Sequence, residues 1–404
     1  MSWSRQAICT LALLGKLPVL GWSSWNAYQH DISEAKIFGA AQAMNDTGLK
    51  AAGYTYVNID DSWAMNKRVK GHIVPDRTRF PDGIDGLAKK IHDLKMKIGI
   101  YSDAGTAMCG GDPGSLDHEK TDAGDWASWE IDYLKYDNCH SAGRSGRDRY
   151  SRMRDALASQ TRPILLNICI WGKENVVTWG NDIGISWRVT DDIRPRWSGS
   201  NNGRDKYSIM YILNTNSKLM DHVNFWGHND ADSLEIGNVF NGWSLSPAEE
   251  RSHFALWAAM KSPLIIGTDI SRLKSERLDL LKNKYLLAFN QDDVFGAPAK
   301  PYKREDGRPW KTTSDDVHPV DYWSGESKDG FLVLMLNTLD KTVKKTAKWS
   351  EIPGLGGKSY KVTDVWTGKD LGCLDEYTAD VESHDTAAIL VSKETCVSRS
   401  LVFI

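Results

Sequence analysis

Three short segments of this chain end apolar runs in carboxylates that are placed to do chemistry. Tyr133-Leu134-Lys135-Tyr136-Asp137-Asn138-Cys139 delivers an aspartate beside a lysine, and Asn58-Ile59-Asp60-Asp61-Ser62-Trp63 delivers an acidic pair. Ser186-Trp187-Arg188-Val189-Thr190-Asp191-Asp192 adds an arginine and two further aspartates. Cleaving a glycosidic acetal requires two carboxyl groups, one as nucleophile or base and one as proton donor. Alternate residues of a strand share a face, so Lys135 and Asp137 point the same way, and an ammonium there keeps Asp137 ionised. Taken alone, a structural salt bridge at a strand end explains that pair equally well.

Positioning these groups requires a scaffold that brings distant strand ends together. Candidate strands are Leu17–Ser23, Tyr54–Asp60, Lys97–Asp103, Tyr133–Asp137, Ile164–Trp171, Ser186–Asp191, His222–Asn229 and Pro263–Thr268. Helical patterns lie between most of them, among them Ile32–Thr47, Gly86–Leu94 and Pro247–Met260, the last with Ser246 as N-cap and Pro247 at the first helical position. Eight strands with helical crossovers predict an α/β fold, a parallel (β/α)8 barrel, whose chemistry sits at the C-terminal ends of the strands. An open doubly wound sheet fits less well, because no Gly-rich phosphate loop follows the first strand. After about Asp292 the pattern changes to short alternating runs, Phe331–Asn337, Thr342–Trp349, Ser359–Asp364 and Ala387–Ser392, which predict an antiparallel β-sandwich. The expected organisation is a leader or signal at 1–13, a catalytic barrel at 14–295 and a sandwich domain at 296–404.

Composition narrows the partner. The 404 residues carry 50 Lys+Arg against 53 Asp+Glu, a formal charge of -3, so no basic field argues for nucleic acid or an anionic membrane. No apolar stretch approaches the roughly 20 residues of a membrane span. The 17 Trp suit the apolar faces of sugar rings, although most tryptophans fill cores. Six cysteines without Cys-x-x-Cys spacing imply no metal, and no cofactor motif is present. Residues 7–14 follow Arg5 as a short apolar run, and Asn45-Asp46-Thr47 is a glycosylation sequon; both suit a secreted protein.

The motifs Leu20-Gly21-Trp22-Ser23-Ser24-Trp25-Asn26, Tyr56-Val57-Asn58-Ile59-Asp60-Asp61, Tyr133-Leu134-Lys135-Tyr136-Asp137, Ser186-Trp187-Arg188 with Asp192, and Asn229-Asp230-Ala231-Asp232-Ser233-Leu234-Glu235 resemble, in order and spacing, glycoside hydrolase family 27, the α-galactosidases. The resemblance runs from about Leu14 to the C-terminus and implies the same barrel and sandwich. It implies a secreted, retaining exo-glycosidase that needs no cofactor and acts on terminal α-galactosyl groups of oligosaccharides, galactomannans or glycoconjugates. Asp137 matches the nucleophile and Asp192 the acid/base. The family pattern Trp-Arg-x-x-x-Asp-Ile selects Asp192 over Asp191. Lys135 and Arg188 match donors to sugar hydroxyls, and Asp60 with Asp61 the clamp on the 4- and 6-hydroxyls. Trp25 and Trp171 match aromatic walls, Asp232 a contact near the leaving group, and Cys109 and Cys169 pocket residues. The resemblance also implies disulfides Cys109–Cys139 and Cys373–Cys396.

Two departures stand out. Where fungal-type members carry a disulfide beside the acidic pair, this chain has His30 and Ser62. Ile170 and Ser233 replace residues expected to line the pocket, which bears on specificity at the 2-position and near the leaving group. The alternatives are an α-N-acetylgalactosaminidase, disfavoured by the bulk of Ile170, a β-L-arabinopyranosidase, disfavoured by the intact Asp60-Asp61, and a non-catalytic galactose-binding protein.

Overall fold

The computed structural model describes residues 15–198, 205–304 and 320–396. The proposed leader, with Cys9, lies outside the described residues. Eight parallel strands form one sheet: β1 (Leu20–Ser23), β2 (Tyr56–Asn58), β3 (Lys97–Asp103), β4 (Tyr133–Asp137), β5 (Leu165–Ile168), β6 (Ser186–Arg188), β7 (His228–Asp230) and β8 (Leu264–Ile266). The order β7-β6-β5-β4-β3-β2-β1-β8 sets the last strand beside the first, as a closed barrel requires. The seam between β7 and β8 is completed by a parallel bridge from Leu234 to Ile266. The chain thus forms the expected barrel.

Between strands run α1 (Ser24–Tyr28), α2 (Glu34–Asp46), α3 (Gly83–Asp93), α4 (Glu119–Ser128), α5 (Gly146–Ala158), α6 (Ile209–Ser217) and α7 (Pro247–Ala259), with α8 (Ser275–Leu281) and α9 (Lys284–Asn290) after β8. The start of α7 follows its sequence signature. Ser246 accepts from the Glu249 amide, the Glu249 carboxylate accepts from the Ser246 amide, and Pro247 occupies the first turn. The β5–β6 crossover differs, using 3-10 turns at Lys173–Thr178 and Gly180–Asp182.

Six of the eight expected barrel strands are shorter than their apolar runs, and in two of them the backbone shows why. The fifth stops at Ile168 because the chain turns through positive φ at Trp171 (57°) and Gly172 (74°). The seventh begins only at His228, because Asn224 and Gly227 close a tight turn with Trp226 at φ 63°. Hydrophobicity extends past the points where the backbone must leave the sheet.

The C-terminal part is an antiparallel sandwich. One sheet has the order β14 (Asp370–Leu374), β13 (Tyr360–Asp364), β16 (Thr386–Thr395), β11 (Gly330–Leu336), β10 (Tyr322–Ser327) and β9 (Lys300–Lys303); β12 (Val343–Lys348) pairs with β15 (Glu376–Val381) in the other. Phe331, Val333 and Met335 face a sandwich core with Trp349 and Val362. Leu332, Leu334 and Leu336, on the opposite face of β11, join the barrel's core beside Trp257 and Phe254. A strand buried on both faces loses its alternation, and β11 reads as a continuous apolar run. Polar contacts fasten the same seam: Arg251 pairs with Asp385, and Ser252 Oγ donates to the His384 carbonyl at 2.6 Å. Among the described residues no helix is long and apolar enough to cross a membrane.

Candidate active site

Strand register brings the carboxylates together. Tyr101 pairs with Lys135 and Asp103 with Asp137 along β3 and β4, while Arg188 pairs with Asp230 along β6 and β7. The polar ends of the strands therefore converge at one mouth, where a cavity of about 230 Å3 is lined by Trp25, Asp60, Asp61, Lys135, Asp137, Trp171 and Asp192, with Tyr101, Asp191, Tyr207 and the Cys109 and Cys139 sulfurs. A narrower continuation into the barrel is lined by Asp60, Lys135, Arg188, Asp232 and Ser233. Cys169 lies fully buried behind them, with its sulfur 3.9 Å from Arg188 Nη1.

Each acidic group has an assigned partner. Asp137 Oδ2 accepts from the Tyr101 hydroxyl at 2.9 Å and Oδ1 from the Asn138 amide at 2.9 Å. Lys135 Nζ donates to Asp60 Oδ2 at 2.7 Å, and the Ser23 hydroxyl donates to the same oxygen at 3.2 Å. Asp61 accepts the amides of Ser62 at 2.6 Å and Gly110 at 2.7 Å. Arg188 Nη2 lies 3.2 Å from Asp192 Oδ1 and 2.8 Å from Asp232 Oδ2, an ion-pair bridge between β6 and the loop after β7. Asp192 keeps 40% of its side chain exposed, whereas Asp60 keeps 4%.

Burial and charge set the protonation of this cluster. Desolvation, opposed chiefly by the Lys135 ammonium and reinforced by Asp192, pushes the Asp137 carboxyl up. Asp192 is also penalised by burial, but Arg188, Lys135 and Arg194 together hold it below the usual carboxylate range. Burial pushes Asp61 up to about 6. Burial and charge thus order Asp137 above Asp192, the reverse of the order that a nucleophile and a proton donor require.

Both disulfides form, Cys109–Cys139 at the mouth and Cys373–Cys396 in the sandwich. Asp103 converges on the first pair, but the two sulfurs are joined to each other, leaving no thiolate for a metal. Gly105 admits this approach: a Cβ there would stand 2.0 Å from the Cys139 carbonyl. His30 and Ser62 meet where the family disulfide is missing, with Nδ1 to Oγ at 2.6 Å, and the His30 ring packs edge-on to Trp25 at 5.1 Å. Asn45 is exposed on the last turn of α2.

Ile170 requires a correction. It does not line the cavity; it is fully buried, and its Cδ1 lies 2.5 Å from where a Gly146 Cβ would sit. The turn at Trp171 sends the two neighbouring side chains in different directions, so position in sequence did not give the facing. Ser233, in contrast, lines the inner continuation. Sequence reasoning also missed Tyr101 and Tyr207. The parity of Gly99, Tyr101 and Asp103 on β3, in register with Lys135 and Asp137, was an available signal for Tyr101. Tyr207 lies in a turn outside any strand and carried no such signal.

Carboxylates and cations gathered at the C-terminal mouth of a (β/α)8 barrel, over a pocket for one sugar ring, define a glycoside hydrolase. Residues 18–292 match the family model described as alpha galactosidase A, and residues 317–391 match that of the alpha galactosidase C-terminal beta sandwich domain. A probable alpha-galactosidase B of Aspergillus clavatus is 46% identical over 97% of this chain and 96% of its own length. Alpha-galactosidase I from Mortierella vinacea superposes with a TM-score of 0.86 at 34% identity, covering 96% of this chain and 100% of that one. The Saccharomyces cerevisiae α-galactosidase with raffinose gives 0.82 at 29% identity, covering 94% and 98%. The chain belongs to the α-galactosidase family.

Proposed function

We propose that the protein hydrolyses terminal α-galactosyl groups by double displacement, with Asp137 as nucleophile and Asp192 as acid/base. The observation that carries this reading is the shared cavity: at about 230 Å3 it lies below the roughly 300–1,000 Å3 of drug-sized sites, and both carboxylates line it. Such a pocket takes one non-reducing sugar and leaves the rest of the chain outside.

Asp60 and Asp61 accept hydrogen bonds from the 4- and 6-hydroxyls, and charged acceptors make this strong. An epimer or a sugar without the 6-hydroxyl leaves a buried carboxylate short of a partner, which is the basis of selectivity. Lys135 and Arg188 donate to further hydroxyls, with Asp232 holding Arg188 in place; Trp25 and Trp171 supply apolar faces. Asp137 attacks C1 while Asp192 protonates the departing oxygen, and water then attacks the glycosyl-enzyme with Asp192 as base.

The resting order of the two carboxyls must be reversed by substrate. Asp192 is the exposed member, so a sugar covering it removes water and raises its pKa, and a 2-hydroxyl accepting from Arg188 competes for the cation that holds Asp192 ionised. Two disulfides suit an oxidising compartment, and we place the protein outside the cell, with Asn45 accessible to glycosylation.

The test is stereochemical. NMR of the first product, before mutarotation, should show α-galactose; β-galactose refutes double displacement. Asp137→Gly with azide should yield the β-azide from an activated α-galactoside, and Asp192→Gly the α-azide. A panel of aryl α-galactoside, α-N-acetylgalactosaminide, α-glucoside and β-L-arabinopyranoside checks the sugar.

A further inference from the structure

The segment after the acid/base leaves the cavity with side chains that alternate between partly exposed and buried, and it bends at Pro195, where Arg196 N donates to the Arg194 carbonyl at 2.6 Å. Asp192, Arg194 and Arg196 keep partly exposed side chains, while Ile193, Pro195 and Trp197 are buried beneath them. The three charged groups are thus the ones this segment leaves partly open. The segment is pinned by main-chain bonds from Arg194 N to the Tyr207 carbonyl at 2.8 Å and from Ile209 N to the Arg196 carbonyl at 2.9 Å. Tyr207 itself lines the cavity and is 38% exposed.

A hairpin from the loop after β7 covers this face. Phe240 and Trp243 exchange two main-chain hydrogen bonds of 2.9 Å around Asn241 (φ 49°) and Gly242 (φ 81°), the turn chemistry of a tight two-residue hairpin. The hairpin lays Phe240 against Arg194, with the guanidinium carbon 4.4 Å from the ring centre, and Trp243 against Arg196 at 3.8 Å. Arg196 is held from its other side by Asp205 at 2.7 Å. Trp243 nevertheless keeps 41% of its surface open, which is unusual for a tryptophan with no packing role left to fill.

We propose that Tyr207, Arg194 with Phe240, and Arg196 with Trp243 form successive leaving-group subsites for the neutral sugar chain to which galactose is attached; this rests on the galactoside reading above. Aromatic faces take the apolar faces of sugar rings, and guanidinium groups donate to their hydroxyls. The row begins at the group that protonates the leaving oxygen and leads away from the cavity. Its rings are fixed by the hairpin and the stacked arginines before any ligand arrives, so little side-chain freedom is lost on binding.

The experiment compares kcat/KM on an aryl α-galactoside, melibiose, raffinose and a galactosyl-mannopentaose for the unaltered enzyme and for Trp243→Ala, Trp243→Phe and Arg196→Met. In Trp243→Ala the ratio of kcat/KM for the pentaose over the aryl galactoside should fall about two- to tenfold, through KM, with Trp243→Phe recovering most of it. Arg196→Met should lower the ratio similarly while its melting temperature reports folding. An equal change on every substrate overturns the proposal. So does a change of oligomeric state in Trp243→Ala at constant substrate ratios, which would assign the hairpin to a contact between copies. Absence of aryl galactoside hydrolysis in the unaltered enzyme would instead refute the galactoside reading.

Discussion

Two side chains beside the cavity illustrate how a residue's role depends on what it touches. His30 and Ser62 hold together by a hydrogen bond of 2.6 Å two chain segments that the family resemblance would join by a disulfide. Ser62 also passes its amide to Asp61, and His30 supports Trp25, so the link bears on both the proposed clamp and the proposed wall. Replacing both, His30→Cys with Ser62→Cys, should form a disulfide and raise stability by about 2–4 kcal/mol. Ser62 already holds φ 76°, so cysteine there inherits a backbone that the fold maintains. Thiol titration after oxidative purification checks it, and two persistent free thiols would contradict it. Ile170 makes the opposite point. Ile170→Ala should cost about 2–5 kcal/mol, as a deletion in a packed core does, while leaving the ratio of N-acetylgalactosaminide to galactoside hydrolysis unmoved. A shifted ratio in denaturation-corrected assays would return Ile170 to the pocket wall.

At the scale of elements, α7 shows a local signal that also serves a distant purpose. Its capping box satisfies helix-end amides, and the same Glu249 reaches across the seam to His384 Nδ1 at 2.8 Å, where the His384 ring stacks on Trp197 at 5.0 Å. Ser246→Ala should lower stability by about 0.5–2 kcal/mol, the usual worth of an N-cap. Glu249→Ala should cost more, since it removes the carboxylate half of the capping box and the contact between barrel and sandwich together. Urea denaturation gives both values; equal losses would show that the His384 contact contributes nothing.

For the whole molecule, buried carboxyls decide how stability follows pH. Burial and the charge of Asp137 push Asp103 up to about 8, and burial pushes Glu235, held by Asn26 and Asn238, up to about 8. Between an unfolded carboxyl near pH 4 and these values the native state holds protons that the unfolded chain has released, so stability falls as pH rises. His384, raised by Glu249 and Asp340, acts in the same direction: its contribution is full below the unfolded histidine value and is lost as pH passes its folded one. Asp192 and Glu249 are lowered, and their contribution disappears as pH falls below the usual carboxylate range. Melting temperature should therefore peak at about pH 4–6 and decline toward 8. Thermal scans from pH 3 to 9 test this, and Asp103→Asn should flatten the decline. A melting temperature that climbs from pH 5 to 8 would be incompatible.

Much of this was legible without coordinates. The existence of the eight barrel strands followed from apolar runs, the sandwich from the change of texture after Asp292, though only four of its eight strands, the cap of α7 from Ser246-Pro247 with Glu249, and the placing of Lys135 and Asp137 on one face from strand parity, because each rests on interactions within a few residues. Convergence of Asp60, Asp137, Asp192 and Asp232 on one mouth, the inward turn of Ile170, the arrival of Tyr101 at Asp137, and the seating of Trp243 on Arg196 were decided only by tertiary structure. They depend on where the backbone leaves each strand and which loop lies opposite, and turns at positive φ, as at Trp171, break the parity that local pattern relies on.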